Sequence, residues 1–247
     1  MLAVIGGSGL SELAGLHQLQ RRQVTTPYGD PSSALTFGRL GERAVVFLAR
    51  HGDGHRIPPH QINYRANIRA LADCSPSGIV AVATVGGIRA GLEPGDLLLP
   101  HQIIDYTWGR QATYHQLPEG TLQHIDFTEP YDAGLRQRLR KAAARLGLAL
   151  ADGAIYAATQ GPRLETAAEI DRLHRDGADV VGMTGMPEAA LARELGVPYA
   201  AINVVANHAA GRGDSRRAIS LADIDAVLAT AMQSVRRLIE QLVVSDD

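Results

Sequence analysis

The first ten residues read MLAVIGGSGL (positions 1–10), an apolar run over 2–5 that passes straight into Gly6-Gly7. A short apolar run without alternation, closed by glycines, reads as a strand covered on both faces with a tight turn at its end. Glycines in such a turn let backbone N–H groups point at an anion, and Ser8 adds a hydroxyl. A plain turn explains GGSGL equally well. As a dinucleotide fingerprint it is poor: after Gly7-Ser8-Gly9 the third glycine is missing, and no acidic residue closes a second strand about 20 positions on.

Outward from this strand the same texture recurs. Runs at 44–49, 79–84, 96–99, 180–183 and 200–205 are further strand candidates. Between them lie helical patterns. Residues 220–243 place Leu221, Ile224, Leu228, Val235, Leu238 and Leu242 at three–four spacing, behind a capping-box-like Ser220 and Asp223. Helices are also expected over 132–146, 166–175 and 187–195, each followed by a glycine (Gly147, Gly177, Gly196) suited to a C′ position. Pro and Gly clusters at 27–31, 52–59 and 116–120 read as loops. Strands alternate with helices and no linker, repeat or low-complexity tract intervenes. The expectation is one α/β domain over 1–247.

Bulk properties narrow the class. The 247 residues, 45% apolar and 20% charged, suit a globular chain that buries roughly 70–75% of its unfolded surface. A formal net charge of −2 gives no whole-molecule attraction to nucleic acid or anionic membrane, so any phosphate must be held locally. Cys74 is the only cysteine, which excludes an intramolecular disulfide and makes a reducing cytoplasm the expected setting. The amino-terminal stretch lacks a basic region, and no apolar run approaches about 18 residues, so neither a secretory leader nor a membrane span is expected.

Residues with chemistry gather in a few blocks. In ARHGDGHRIPPHQINYRAN (49–67), Arg50 and His51 follow a strand, where a loop at a sheet's carboxyl end stands over a ligand crevice. Arginine offers a planar fork for phosphate and histidine is expected to add a donor. His51, His55 and His60 invite a zinc reading, but no carboxylate or cysteine completes a ligand set, and Pro58-Pro59 breaks any helix aligning them. His60 reads as structural. TVGGI (84–88) ends a strand with two glycines, so amides near Thr84 could meet an anion or simply form a turn. In MTGMPE (183–188), Thr184 stands before a helix N-terminus, a favourable place for an anion, and Met183 supplies adaptable apolar surface or core filling. Glu165 in GPRLET accepts hydrogen bonds, whereas Asn207 at the end of YAAINVVAN both donates and accepts. Together they suit a 6-oxopurine, with its N1–H donor and its O6 and N7 acceptors.

With these blocks in order, and with TPYGDPS, TVGGIRAGLEPGD, HIDFTEPYD, TQGPRLETAAE and GADVVGMTGMPEAALARELG, the chain resembles the trimeric purine nucleoside phosphorylase and methylthioadenosine phosphorylase family along nearly its whole length. The resemblance implies a nucleoside phosphorylase-like α/β domain, a mixed central sheet flanked by helices, assembled as a homotrimer. It implies cleavage of a purine–ribose bond by inorganic phosphate as co-substrate, with no metal or organic cofactor. By position, Ser8, Arg50, His51, the Ala83–Thr84 backbone and Thr184 match the family's phosphate ligands, and Met183 its ribose contact. His124 matches a residue reaching the 5′ end of the substrate in the neighbouring subunit.

Two departures bear on the substrate. Enzymes of the family that act on methylthioadenosine carry aspartates in the segment aligned with Asn207-His208-Ala209, and a small polar residue at the Glu165 position. Glu165 and Asn207 resemble instead the 6-oxopurine readers, with His208 and Ala209 beside them in the substrate segment. Fourteen positions after Asn207, where 6-oxopurine nucleoside phosphorylases place a histidine for the 5′-hydroxyl, stands Leu221, which suits a thioether methyl. The combination points to 5′-methylthioinosine. Inosine, guanosine and methylthioadenosine are the alternatives within the enzyme class. A nucleoside-binding module without catalysis would not need the phosphate residues, and a dinucleotide-dependent oxidoreductase lacks its fingerprint.

Overall fold

The computed structural model describes residues 1–115 and 124–245, so the loop expected at 116–120 lies outside the described residues. Nine strands form a mixed sheet: β1 (Leu2–Gly6), β2 (His17–Arg22), β3 (Leu35–Leu40), β4 (Arg43–Ala49), β5 (Ile79–Gly87), β6 (Leu97–Asp105), β7 (Ala151–Ala158), β8 (Val180–Gly182) and β9 (Tyr199–His208). The order is β2-β3-β4-β1-β5-β8-β7-β6-β9, and β9 pairs back onto β5, so β5, β8, β7, β6 and β9 close into a ring. Closure removes the exposed edges that these five strands would otherwise present.

Helices α1 (Tyr64–Ala72), α2 (Ala133–Arg145), α3 (Ala167–Arg175), α4 (Gly185–Glu194) and α5 (Leu221–Val244) cover this sheet. On one face, Leu135 and Leu139 of α2 and Leu228, Val235 and Leu238 of α5 pack over Val80, Val82 and Leu99. On the other, Tyr64 and Ile68 of α1 and Ala189 and Leu191 of α4 pack over Ile79, Ala81 and Val205. Helices on both sides explain why these strands read as unbroken apolar runs. The expected caps form: Thr166 and Glu169 make a reciprocal capping box, Asp132 accepts from the Leu135 N–H, and Ser220 accepts from the Asp223 N–H. Gly147, Gly177 and Gly196 follow their helices at φ of 60°, 95° and 66°. No described helix is long and apolar enough to cross a membrane.

Several boundaries differ from the sequence expectation. The glycines of TVGGI continue β5, because Gly86 and Gly87 pair with Val181 and Val180 of β8. Strand β6 runs past Pro100 to Asp105, a register shift between Leu99 and Pro100 accommodating the residue that cannot donate to the ladder. Strands β2, β3 and β7 and helix α1 carried no clear periodic signal. All six residues of β2 are exposed, so its polar sequence HQLQRR has no apolar face to announce it.

The topology collects loop ends on one side. β1 is parallel to β4 and β5, and β5 is parallel to β9, so their carboxyl ends emerge together. β8 runs antiparallel to β5 and therefore delivers Met183 and Thr184 back towards the same place.

Candidate active site

These ends surround a cavity of about 650 Å³. Ser8, Arg50, His51, Ala83, Thr84, Glu165, Met183, Thr184, Asn207, Ala209 and Leu221 all line it. β1 pairs with β5 only as far as Ala81, which leaves that edge of β5 unpaired by β1 from Val82 onward. Gly7 has to be a glycine: a Cβ there would lie 2.6 Å from the Val82 carbonyl oxygen and 2.8 Å from Arg50 Nη1. Arg50 uses that space to donate to the Val82 carbonyl at 2.8 Å.

The fork of Arg50 is already engaged. Its Nε and Nη2 donate to the two carboxylate oxygens of Glu188 at 2.6 and 2.9 Å, and Tyr199 donates to Glu188 at 2.8 Å. Both members of the pair are buried, and the carboxylate helps hold the arginine charged. Arg50 therefore borders the cavity as half of a neutral pair, with two N–H bonds left to direct outward.

His51 differs from its expected role as a donor. Burial, then the neighbouring Arg50, hold its pKa down to about 4, so it is neutral near pH 7. Its Nδ1 lies 2.8 Å from the Ile57 carbonyl, which can only accept, so Nδ1 carries the proton and Nε2 is an acceptor. The ring packs against His55 in a tilted arrangement, centroids 4.2 Å apart and planes at 33°, and His55 Nε2 lies 3.4 Å from the Ser8 hydroxyl. Among the described residues no cluster of three or more His, Cys, Asp or Glu side chains could hold a metal, and His60 Nδ1 is buried without a partner.

At the start of α4 the N–H groups of Thr184 and Gly185 donate to the Tyr156 hydroxyl at 3.1 and 3.3 Å. The helix N-terminus thus spends these amides on Tyr156, and the Thr184 hydroxyl makes no capping bond to the helix. Glu165 accepts from the Thr159 hydroxyl at 2.6 Å, which orients the carboxylate and leaves its other oxygen for a ligand. Asn207 donates from Nδ2 to the His208 carbonyl at 2.6 Å, leaving Oδ1 and a second N–H.

Two of the residues singled out do not border the cavity of this chain. His208 does not border the cavity: successive strand residues point to opposite faces, so with Asn207 inward His208 turns away. Its Nε2 lies 3.5 Å from Glu93, and a Cβ at Gly213 would touch its ring. His124 is exposed and lies outside the cavity of its own chain. Leu221, 69% exposed, is not a core residue of α5; with Ile219 and Ile224 it forms an apolar wall.

Sequence reasoning missed Arg110. Its guanidinium donates to the carbonyls of Met183, Met186, Thr159 and Gln160 at 2.6–3.2 Å, and to the Tyr64 hydroxyl at 3.1 Å. It thereby ties the loop carrying Met183 and Thr184 to the one leading to Glu165. Bonds to backbone carbonyls leave no trace in residue type at the accepting positions, so no motif revealed it.

Comparison with known proteins agrees with this architecture: the profile of the family described as "Phosphorylase superfamily" matches residues 1–244. The chain belongs to the phosphorylase superfamily. A protein of Xanthomonas campestris pv. campestris named "Probable S-methyl-5'-thioinosine phosphorylase" is 50% identical over 98% of this chain and 96% of its own. One of the same name from Pseudomonas syringae pv. tomato is 51% identical, over 95% and 94% of the two chains. The "6-oxopurine nucleoside phosphorylase" of Pyrococcus furiosus is 45% identical, over 85% and 80%. Among solved structures, methylthioadenosine phosphorylase from Schistosoma mansoni in complex with adenine superposes with a TM-score of 0.93 at 32% identity, over 98% of this chain and 90% of that one.

Proposed function

We propose that this phosphorylase cleaves 5′-methylthioinosine with inorganic phosphate, yielding hypoxanthine and 5-methylthioribose 1-phosphate. The observation that carries the reading is that Glu165 and Asn207 share one cavity with Ser8, His51 and Thr184, while Leu221, Ile219 and Ile224 supply an apolar wall. The relatives of that name, similar over nearly the full chain, support it.

As the C1′–N9 bond stretches, the ribosyl carbon gains oxocarbenium character and the bonding electrons move into the purine. A phosphate oxygen below the ring forms the new bond to C1′. Asn207 donates its remaining Nδ2–H to the N7–O6 edge, Glu165 accepts from N1–H, and Met183 packs against the ribose. Ser8, Thr184 and the Ala83–Thr84 backbone position the phosphate, and neutral His51 accepts from a protonated phosphate oxygen. Positioning and electrostatics suffice for such a reaction, which asks for no metal or organic cofactor. The reading extends to a cytoplasmic homotrimer in which His124, outside its own cavity, serves a neighbouring subunit. It includes no nucleic-acid or membrane partner.

The test is phosphate-dependent release of the purine base, with kcat/KM compared for methylthioinosine, inosine, guanosine and methylthioadenosine. Methylthioinosine is expected to lead. A lead by inosine or guanosine would transfer the assignment to a general 6-oxopurine nucleoside phosphorylase. Sedimentation analysis tests the trimer.

A further inference from the structure

The ionisable side chains among the residues lining the cavity are Arg50, His51, His55, Arg56 and Glu165. Phosphate is an anion near pH 7, yet most of this set offers it no net positive charge. Arg50 is compensated at 2.6 Å by the buried Glu188 carboxylate. His51 donates from Nδ1 to the Ile57 carbonyl, and burial and Arg50 hold the imidazoles of His51 and His55 below their ordinary pKa. Glu165, opposite, is acidic.

Arg56 is the exception. It lies on the loop between His51 and Pro58, at the exposed mouth of the cavity, with its backbone fixed by a bond from its N–H to the His51 carbonyl at 2.9 Å. The side chain leans over Gly54, whose added Cβ would lie 3.3 Å from Arg56 Nε. Among the described residues its side chain makes no hydrogen bond or ion pair, whereas Arg50, the other arginine lining the cavity, is paired with Glu188.

We propose that Arg56 is the cation that draws inorganic phosphate into this cavity and holds its charge, while Arg50, neutralised by Glu188, serves to orient it. This rests on the phosphorolysis reading and deepens it. An arginine already bonded fork to fork presents a dipole to a third ion, whereas an unpaired one presents a full charge. A cation at the mouth also acts at range, raising the capture rate at low ionic strength.

The test titrates inorganic phosphate, by calorimetry, into wild type, Arg56→Lys and Arg56→Gln, with steady-state kinetics alongside. For Arg56→Gln the phosphate Kd and KM should rise about tenfold, the scale of one charge-assisted hydrogen bond. Its nucleoside KM should hold, and the fall of kcat/KM for phosphate with added salt should flatten. Arg56→Lys should keep most of the affinity and the salt dependence. Because Arg56 is exposed, the fold should be intact in both variants, which their melting temperatures check. If Arg56→Gln binds phosphate as tightly as wild type, with the same salt dependence, Arg56 is not the capturing cation. A wild type that binds phosphate but cleaves no nucleoside would remove the phosphorolysis reading and leave the comparison of phosphate affinities standing. A wild type that binds no phosphate would overturn both.

Discussion

Arg50 and Glu188 stand 138 positions apart in the chain and meet fork to fork in the interior, at 2.6 and 2.9 Å. Their pairing joins the loop after β4 to the first turn of α4, the two segments that carry His51 and Thr184. Glu188→Gln would leave a buried arginine uncompensated, and the expected loss of stability is about 3–5 kcal/mol. Because that arginine faces the cavity, phosphate should raise the melting temperature of the variant more than that of wild type. Thermal melts with and without phosphate check both statements; equal phosphate shifts would mean that Arg50 does not reach the anion.

Glu165 depends on Thr159 for its orientation. Glu165→Gln replaces a charged acceptor of N1–H by a neutral one, with an expected loss of about 1.5–3 kcal/mol in kcat/KM for methylthioinosine. Thr159→Val should give a smaller loss in the same direction, since it frees the carboxylate without removing it. An unchanged kcat/KM in the glutamine variant sinks the role of base reader.

Asn207→Asp should shift preference from 6-oxopurines to 6-aminopurines. A carboxylic acid can offer N7 a proton, but once ionised it repels O6. Sites built on hydrogen bonds discriminate strongly when a mismatch leaves buried polar groups unpaired. The ratio of methylthioinosine to methylthioadenosine turnover is the measurement, and a ratio equal to wild type would contradict the assignment.

Leu221→His tests the 5′ end. With the side chain 69% exposed, the substitution should leave stability nearly untouched. It should lower activity on methylthioinosine and raise it relatively on inosine, because imidazole offers the 5′-hydroxyl a partner and sets a polar group against the thioether methyl. The expected swing in the ratio of kcat/KM values is about tenfold, or roughly 1.4 kcal/mol. A flat ratio would place the 5′ group elsewhere.

His51 makes stability depend on pH. Above its ordinary value of 6.5 the imidazole is neutral in folded and unfolded chains alike, and it contributes no slope. As pH falls from 6.5 towards about 4, the unfolded chain takes up a proton that the folded one refuses, so stability falls. The expected loss is about 3 kcal/mol, complete below the folded value. His55, also held low by burial and Arg50, adds to the slope. His51→Asn should show a shallower acid loss than wild type in urea titrations between pH 7 and 4; parallel curves would refute the neutral assignment.

Sequence alone was sufficient for the α/β class, for the apolar strands leading into the site, and for helices α2 to α5 to within a few residues. These follow from local physics: periodicity, caps and glycine termini act within one turn or one strand. It also singled out Ser8, Arg50, His51, Glu165, Thr184 and Asn207, because carboxylate, amide and hydroxyl chemistry is legible in residue type. Only the tertiary structure decided what these groups are free to do. Glu188 neutralises Arg50, Tyr156 takes the amides at the head of α4, the Ile57 carbonyl sets the tautomer of His51, and strand alternation turns His208 away while Asn207 faces in. The closure of β9 onto β5 was equally hidden. Each depends on which atom of a distant residue reaches a given lone pair or N–H, and that distance is set by packing across the whole sheet.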